Sequence, residues 1–195
     1  MSRKRAHYHY QLDSGGISSL SDDEIVAILR AADPIIANGG RTLLSKVLKG
    51  SKDKDVLNHS LDVNPFYGAF ANKPSALIMN MIDYCILDDL FRIQFDGRMP
   101  VLVYSEKGWA IERETFANEL LLEILDSVKT GSHDFIEHML KVNPQCVLIA
   151  LNQLGKVNDA KLREALAAWL PQTNGKVKKK INFILSQKPS VSPQP

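Results

Sequence analysis

The chain has 195 residues and a mass of 21.8 kDa, 45% of them hydrophobic and 24% charged, which suits one ordinary domain or two small ones and is too apolar for a disordered chain. No apolar run exceeds six residues, the length of Cys146 to Leu151, far short of the roughly 18–20 a membrane span needs, and no apolar stretch follows the basic start Met1-Ser2-Arg3-Lys4-Arg5, which therefore does not read as a secretory signal. The net charge of +2 conceals +3 over residues 1–54, −8 over 55–140 and +7 over 141–195, a distribution that points to a partner meeting particular faces.

Cys85 and Cys146 lie among apolar neighbours, as reduced thiols of a cytoplasmic protein do. Residues 1–20 read as a basic N-terminal arm. Ser21-Asp22-Asp23-Glu24 has the form of a capping box ahead of Ile25, Ile28, Leu29 and Ala32, and Pro34 ends that helix. Thr42 to Lys49 predicts a short second helix stopped by Gly50, and Asp53 to His59 a further turn or two. Asn64-Pro65 and Tyr67-Gly68 are turn chemistry. Pro74 suits the first position of a helix running to about Asp88. The period then changes from 3.6 to 2: Phe91, Ile93 and Phe95 alternate with Arg92, Gln94 and Asp96, and Val101–Tyr104 is the return strand across an Asp96-Gly97-Arg98-Met99 turn. Ser105 is placed to cap a helix beginning near Glu106. Helices followed by a two-stranded ribbon make a winged helix over residues 21–115.

Residues 116–187 read as wholly helical, with apolar faces on Phe116–Val128, Asp134–Lys141, Pro144–Leu154, Ala160–Trp169 and Lys176–Leu185. Asn143-Pro144 and Asn158-Asp159 serve as starts, and Gly131 and Gly155 as stops. Short connections predict two stacked helical hairpins, a small HEAT-like unit without a fixed repeat. The segment 188–195 is expected to be a disordered tail. The fold class is thus mainly α, a winged helix followed by an α-helical C-terminal region.

The stretch Asn38-Gly39-Gly40-Arg41-Thr42-Leu43-Leu44-Ser45-Lys46-Val47-Leu48-Lys49-Gly50-Ser51 resembles the glycine, apolar helix and basic-Gly-Ser pattern of the RQC winged-helix domain of RecQ-family helicases. The likeness continues through Tyr67-Gly68, the Ile78–Leu90 helix and Val101-Leu102-Val103-Tyr104-Ser105-Glu106-Lys107-Gly108-Trp109, and is greatest to a minor bacterial branch in which a short protein joins this domain to a helical C-terminus. The resemblance implies a DNA-binding module that grips phosphates and, in some helicases, pries a duplex end apart with its hairpin. Carried over by position, Lys49 and Ser51 meet a phosphate. Lys52 and Lys54 continue the same loop, Lys46 lies on the preceding helix and Arg41 stands just before it. Such a site makes chemical sense, since Gly50 admits a close phosphate, Ser51 donates and the lysines supply counter-charge. Equally, Gly50 reads as a helix stop and the lysines as a solvated edge.

The four-cysteine zinc subdomain of the helicase relatives has no counterpart here, and no G-x-x-x-x-G-K-[ST] loop or other motor motif occurs. The tip of the hairpin offers Arg98 to a groove or phosphate and Met99 as an apolar wedge. The Pro74–Asp88 helix carries Asn80, Asp83, Asp88 and Asp89 where a major-groove reader presents cations and amides, which argues against base-specific readout. A secondary basic patch, Lys176, Lys178, Lys179 and Lys180, is left on the open face of a helix whose Val177, Ile181 and Ile184 point inward. Trp169 reads as core. His133 and His138, five apart, make no metal site, and no catalytic constellation stands out. The expectation is a non-catalytic protein, without cofactor or metal, that binds duplex, end or junction DNA through phosphates, as an accessory to a separate ATPase. The alternatives are a protein-interaction adaptor and an RNA-binding protein.

Overall fold

A computed structural model describes residues 11–154 and 159–187. The start of the basic arm, the Gly155 stop, Asn158 and the tail lie outside them. The chain divides into two compact units, one up to Glu112 and one from Arg113 onward.

In the first unit, helix α1 (Asp22–Ala32) opens on a complete capping box: the Glu24 N–H donates to Ser21 Oγ at 3.3 Å and the Ser21 N–H to the Glu24 carboxylate at 3.1 Å. Pro34 ends it, within a 3₁₀ turn over Asp33–Ile35. Helix α2 (Arg41–Lys49), the single-turn α3 (Lys54–Asn58) and α4 (Ser75–Leu87) follow. Pro74 caps α4 rather than entering it. Strands β1 (Phe91–Asp96) and β2 (Met99–Tyr104) pair antiparallel from Phe91↔Tyr104 to Asp96↔Met99. That register leaves a two-residue loop with positive φ at its first residue, Gly97 (60°), the pattern of a type II′ hairpin. The chain before α2 joins the ribbon as a rudimentary third strand: the Ala37 N–H donates to the Leu102 carbonyl at 2.8 Å, and the Leu102 N–H to that of Gly39 at 2.9 Å. The result is a winged helix.

Its core is apolar and tight, with Ile28, Leu29, Leu44, Val47, Leu48, Ile78, Ile82 and Cys85 fully buried. Burial pushes the Cys85 thiol up to about 12, so it stays protonated and unreactive at neutral pH. Burial also raises the Tyr104 phenol, whose O–H donates to the Leu29 carbonyl at 2.8 Å. Two charges are enclosed as well, Arg30 of α1 and Glu112, joined at 2.5 Å with 8% and 1% of their side chains exposed.

Glu112 belongs to α5, which runs unbroken from Glu106 to Thr130. The sequence divides this stretch into a helix near Glu106 and another from Phe116. No proline separates them, and the lone Gly108 lies in the first turn, where the Ser105 hydroxyl accepts its N–H at 3.0 Å. In the second unit, α6 (Phe135–Met139), α7 (Pro144–Gln153), α8 (Ala160–Trp169) and α9 (Gly175–Ser186) follow α5. Both α7 and α8 pack on α9. Asn143 and Asp159 cap α7 and α8 through the N–H groups of Gln145 and Leu162. Trp169 is fully buried, edge-on to Phe135 with ring centroids 5.6 Å apart.

Removing one partner of a buried ion pair leaves the other under-compensated, and although Arg30 keeps Asp33 at 3.8 Å, Glu112→Ala is expected to cost about 3 kcal/mol. The double variant Arg30→Met/Glu112→Leu should recover most of that in chemical denaturation. Gly97→Val, forced into a positive φ, should cost about 1–2 kcal/mol in the same assay.

Candidate nucleic-acid interface

The C-terminal end of α2 organises the candidate site. Gly50 takes a left-handed conformation (φ 74°), and the N–H groups of Gly50 and Ser51 turn back to the Val47 and Lys46 carbonyls at 3.0 and 2.9 Å. The loop around Tyr67-Gly68 completes the closure: the Gly68 N–H donates to the Val47 carbonyl and the Phe70 N–H to that of Leu48, both at 2.9 Å, and the Tyr67 hydroxyl to that of Ser51 at 3.1 Å. Gly50 and Gly68 lie so close that a Cβ on Gly50 would stand 3.1 Å from the Gly68 Cα. The two glycine motifs of the sequence are therefore one contact.

Lys49 fastens the same loop. Its ammonium donates to the Ala71 carbonyl at 2.6 Å and the Lys73 carbonyl at 2.8 Å, a structural role that sequence reasoning missed because both acceptors are backbone atoms more than twenty residues away. Lys46 pairs with Asp53 at 3.0 Å and lies 3.8 Å from Asp55. The Asp55 N–H, then Lys46, hold the Asp53 carboxyl below its ordinary range. Arg41 is bonded to both carboxylate oxygens of Asp83 on α4, at 2.5 and 2.6 Å.

Between α2 and the start of α4 lies a groove of about 410 Å³, walled by the hydroxyls of Thr42, Ser45, Ser51 and Ser75 together with Lys46 and Lys49. No side chain caps α4, and its first residues, Ser75 and Ala76, line this groove, so the positive end of the helix dipole lies at its edge. Ser51 Oγ accepts the Asp53 N–H at 3.2 Å and keeps its own proton to donate. Lys52 on the adjoining loop and Lys54 at the start of α3 stand exposed and have no hydrogen-bond or ion-pair partner among the described residues.

A second cleft, about 480 Å³, separates the start of α2 from β2 and is bordered by Arg41, Lys46 and Met99. Lys46 thus lies on both. At the tip of the wing Arg98 is exposed and without a partner among the described residues, and Met99 is 61% exposed. The register sets Phe95 opposite Pro100 and Met99 opposite Asp96. Phe95 and Met99 therefore lie on opposite faces of the ribbon, and Met99 alone offers an apolar tip on its face.

The RQC domain family matches residues 22–123. The chain belongs to the RQC domain family. It is 31% identical over 93 residues to the ATP-dependent DNA helicase RecQ of Bacillus subtilis (strain 168), a match that takes in 48% of this chain and 15% of that helicase. No solved structure matches the chain. RQC is a DNA-binding domain found in RecQ helicases.

In the second unit, Lys176, Lys178, Lys179 and Lys180 follow the turn into α9, whose Val177, Ile181 and Ile184 are buried. Lys180 sits 5.5 Å over the Phe183 ring. Lys176 borders a cleft of about 520 Å³ beside Asn143 and Asn174. Among the described residues no helix is long and apolar enough to cross a membrane, and no three His, Cys, Asp or Glu side chains gather to hold a metal ion.

The lysines now separate into two kinds. Lys49→Ala should destabilise the fold by about 1–3 kcal/mol, because it strips charge-assisted bonds from two carbonyls. Lys52→Ala should leave thermal melts unchanged.

Proposed function

We propose that this RQC protein binds duplex DNA, at ends or junctions, by gripping the phosphate backbone with its winged helix, as an accessory to a separate ATPase and with no catalysis of its own. The observation that carries this reading is the groove of about 410 Å³ at the start of α4, lined by four hydroxyl-bearing residues, Lys46 and Lys49 and by the first residues of a helix that no side chain caps, with Lys52 and Lys54, which have no partner among the described residues, following Ser51 in the chain. Membership of a DNA-binding family supports it. The face of α4 that would enter a major groove is spent internally, since Asp83 holds Arg41. Recognition therefore falls to phosphates, which position a protein without reading sequence. Arg98 supplies a further phosphate contact, Met99 an apolar contact to a terminal base pair, and the Lys176–Lys180 patch a secondary basic surface.

The test is a mobility shift and a salt series with blunt, forked and single-stranded DNA and with RNA. Binding to each DNA should be independent of its base sequence, with a fork preferred over an internal duplex. Lys52→Ala should reduce the magnitude of the slope of log affinity against log salt by about 0.9, one phosphate's worth. Met99→Ala should leave that slope in place and lower the preference for a fork over an internal duplex. No shift with any nucleic acid at low salt overturns the reading in favour of a protein-interaction adaptor, and a shift with RNA alone reassigns the partner.

A further inference from the structure

Helix α9 carries a charge that nothing nearby in the sequence answers. Lys176, Lys178, Lys179 and Lys180 lie within five positions, and from Ala165 onward the sequence holds no Asp or Glu. Exposed helical lysines are commonly met by a carboxylate one turn away, as Lys141 is by Glu137 at 2.6 Å. The four lysines of α9 have no ion-pair or hydrogen-bond partner among the described residues.

The packing of the helix sorts them. Val177, Ile181 and Ile184 are buried where α9 meets α7 and α8, which turns the other side of the helix to solvent. Lys176, Lys179, Lys180 and Phe183 follow at i, i+3, i+4 and i+7 and therefore form one stripe, while Lys178 falls on the opposite flank. Phe183 is 57% exposed, and no other large apolar side chain of α9 is. Lys180 Nζ stands 5.5 Å from the centroid of its ring.

A ring set among cations distinguishes between ligands. A membrane surface calls for a broad exposed apolar face, and that of α9 is spent on the core. A duplex engages the lysines alone, because its bases are already stacked on one another. An unpaired strand uses both groups, with phosphates on the ammonium groups and a base on the ring. At its start the stripe meets the cleft that Lys176 borders, whose walls include Gln145, Gln172 and Asn174, amides that can donate to and accept from the open edges of unpaired bases. From Lys176 to Phe183 the stripe is about 10 Å long at roughly 1.5 Å per residue, the length of about three nucleotides at the roughly 3.4 Å spacing of a stacked strand.

We infer that α9 binds a single-stranded segment of DNA, with Lys176, Lys179 and Lys180 on its phosphates and Phe183 stacked on a base. This rests on the DNA-binding reading above for the identity of the polymer, and on the second unit alone for the site. It gives the basic patch a preference that charge by itself does not supply, for unpaired over paired DNA.

The experiment is fluorescence anisotropy of the full chain across a salt series, with three labelled probes: an oligo-dT of about fifteen nucleotides, a blunt duplex and polyglutamate. Phe183→Leu keeps an apolar side chain and every charge but removes the ring. It should weaken oligo-dT binding about tenfold, within the worth of one base stacked on an aromatic, and leave duplex affinity and the thermal melt unchanged. Phe183→Trp should restore the affinity. Lys176→Ala/Lys179→Ala/Lys180→Ala should reduce the magnitude of the oligo-dT salt slope by about 2, for three phosphates of a single strand at roughly 0.7 each, again with an unchanged melt. Oligo-dT binding that Phe183→Leu leaves intact overturns the stripe, whether or not the lysine variant weakens it. A full chain that holds the duplex and ignores oligo-dT overturns the stripe and leaves the duplex grip of the first unit standing. The expected losses on oligo-dT with no binding to duplex overturn that grip and leave the stripe. Polyglutamate bound as tightly as oligo-dT, and equally well after Phe183→Leu, assigns the face to an acidic protein and overturns the inference.

Discussion

The two bonds from Arg41 to Asp83 set the arrangement of the first unit. Arg41 begins α2 and Asp83 lies in the third turn of α4, so the pair, with side chains 19% and 4% exposed, fixes the angle at which the two helices flank their groove. A charge enclosed to that degree is tolerated only when satisfied, and Asp83 is satisfied from two directions, by the guanidinium and by the Asp13 N–H. One carboxylate therefore joins α2, α4 and the N-terminal segment. What it joins is no longer free to read bases, and the chemistry of the surface follows from that. Asp83 of α4 is turned to internal work, and on the DNA-binding reading proposed above the groups left to meet nucleic acid are hydroxyls, the helix terminus and a few ammonium groups.

The opposite end of α2 obeys a related constraint. A helix terminus leaves carbonyls to be satisfied, and here the 66–70 loop supplies N–H groups to Val47 and Leu48 while Lys49 binds the Ala71 and Lys73 carbonyls just beyond it. This reciprocal closure holds Ser51 on the wall of the groove, with Lys52–Lys54 following it in the chain. The Lys46–Asp53 pair steadies the same loop from the other side. Lys46 and Lys49 contribute by shaping the site and lending it positive potential, whereas Lys52 and Lys54 keep their charge unspent.

Much of the fold was legible in the sequence because its signals are local. The Ser21 capping box, the change of period at Phe91, the Gly97 turn and the Asn143 and Asp159 caps each depend on residues within a few positions, and each element stands where those signals set it, with α5 the exception in length. The inward set of Val177, Ile181 and Ile184 followed in the same way from helical spacing. The site was less legible. The Lys49, Arg41 and Asp13 contacts close over 24, 42 and 70 residues, and nothing in one-dimensional spacing distinguishes a lysine that caps a distant carbonyl from one that waits in solvent. The sequence did place Lys49, Gly50 and Ser51 together, and Tyr67-Gly68 with them in one resemblance. Only the fold explains the association, through the contact of Gly50 with Gly68.

The wing shows how register limits mechanism. Alternation along β1 brings Phe91, Ile93 and Phe95 to one face, with burial fading from the core outward until Phe95 is 45% exposed. An aromatic at the end of that row is well placed to stack, yet Met99 projects from the other face, so the two cannot form one wedge. Met99 is flexible and apolar, and filling the space beside an unstacked base suits it better than displacing one. A tip of this composition favours holding an end that is already open over prying one apart. On the DNA-binding reading proposed above, that choice agrees with phosphates as the source of affinity: backbone contacts survive any change in the pairing of the bases, so a protein relying on them would stay bound while the strands beneath it change.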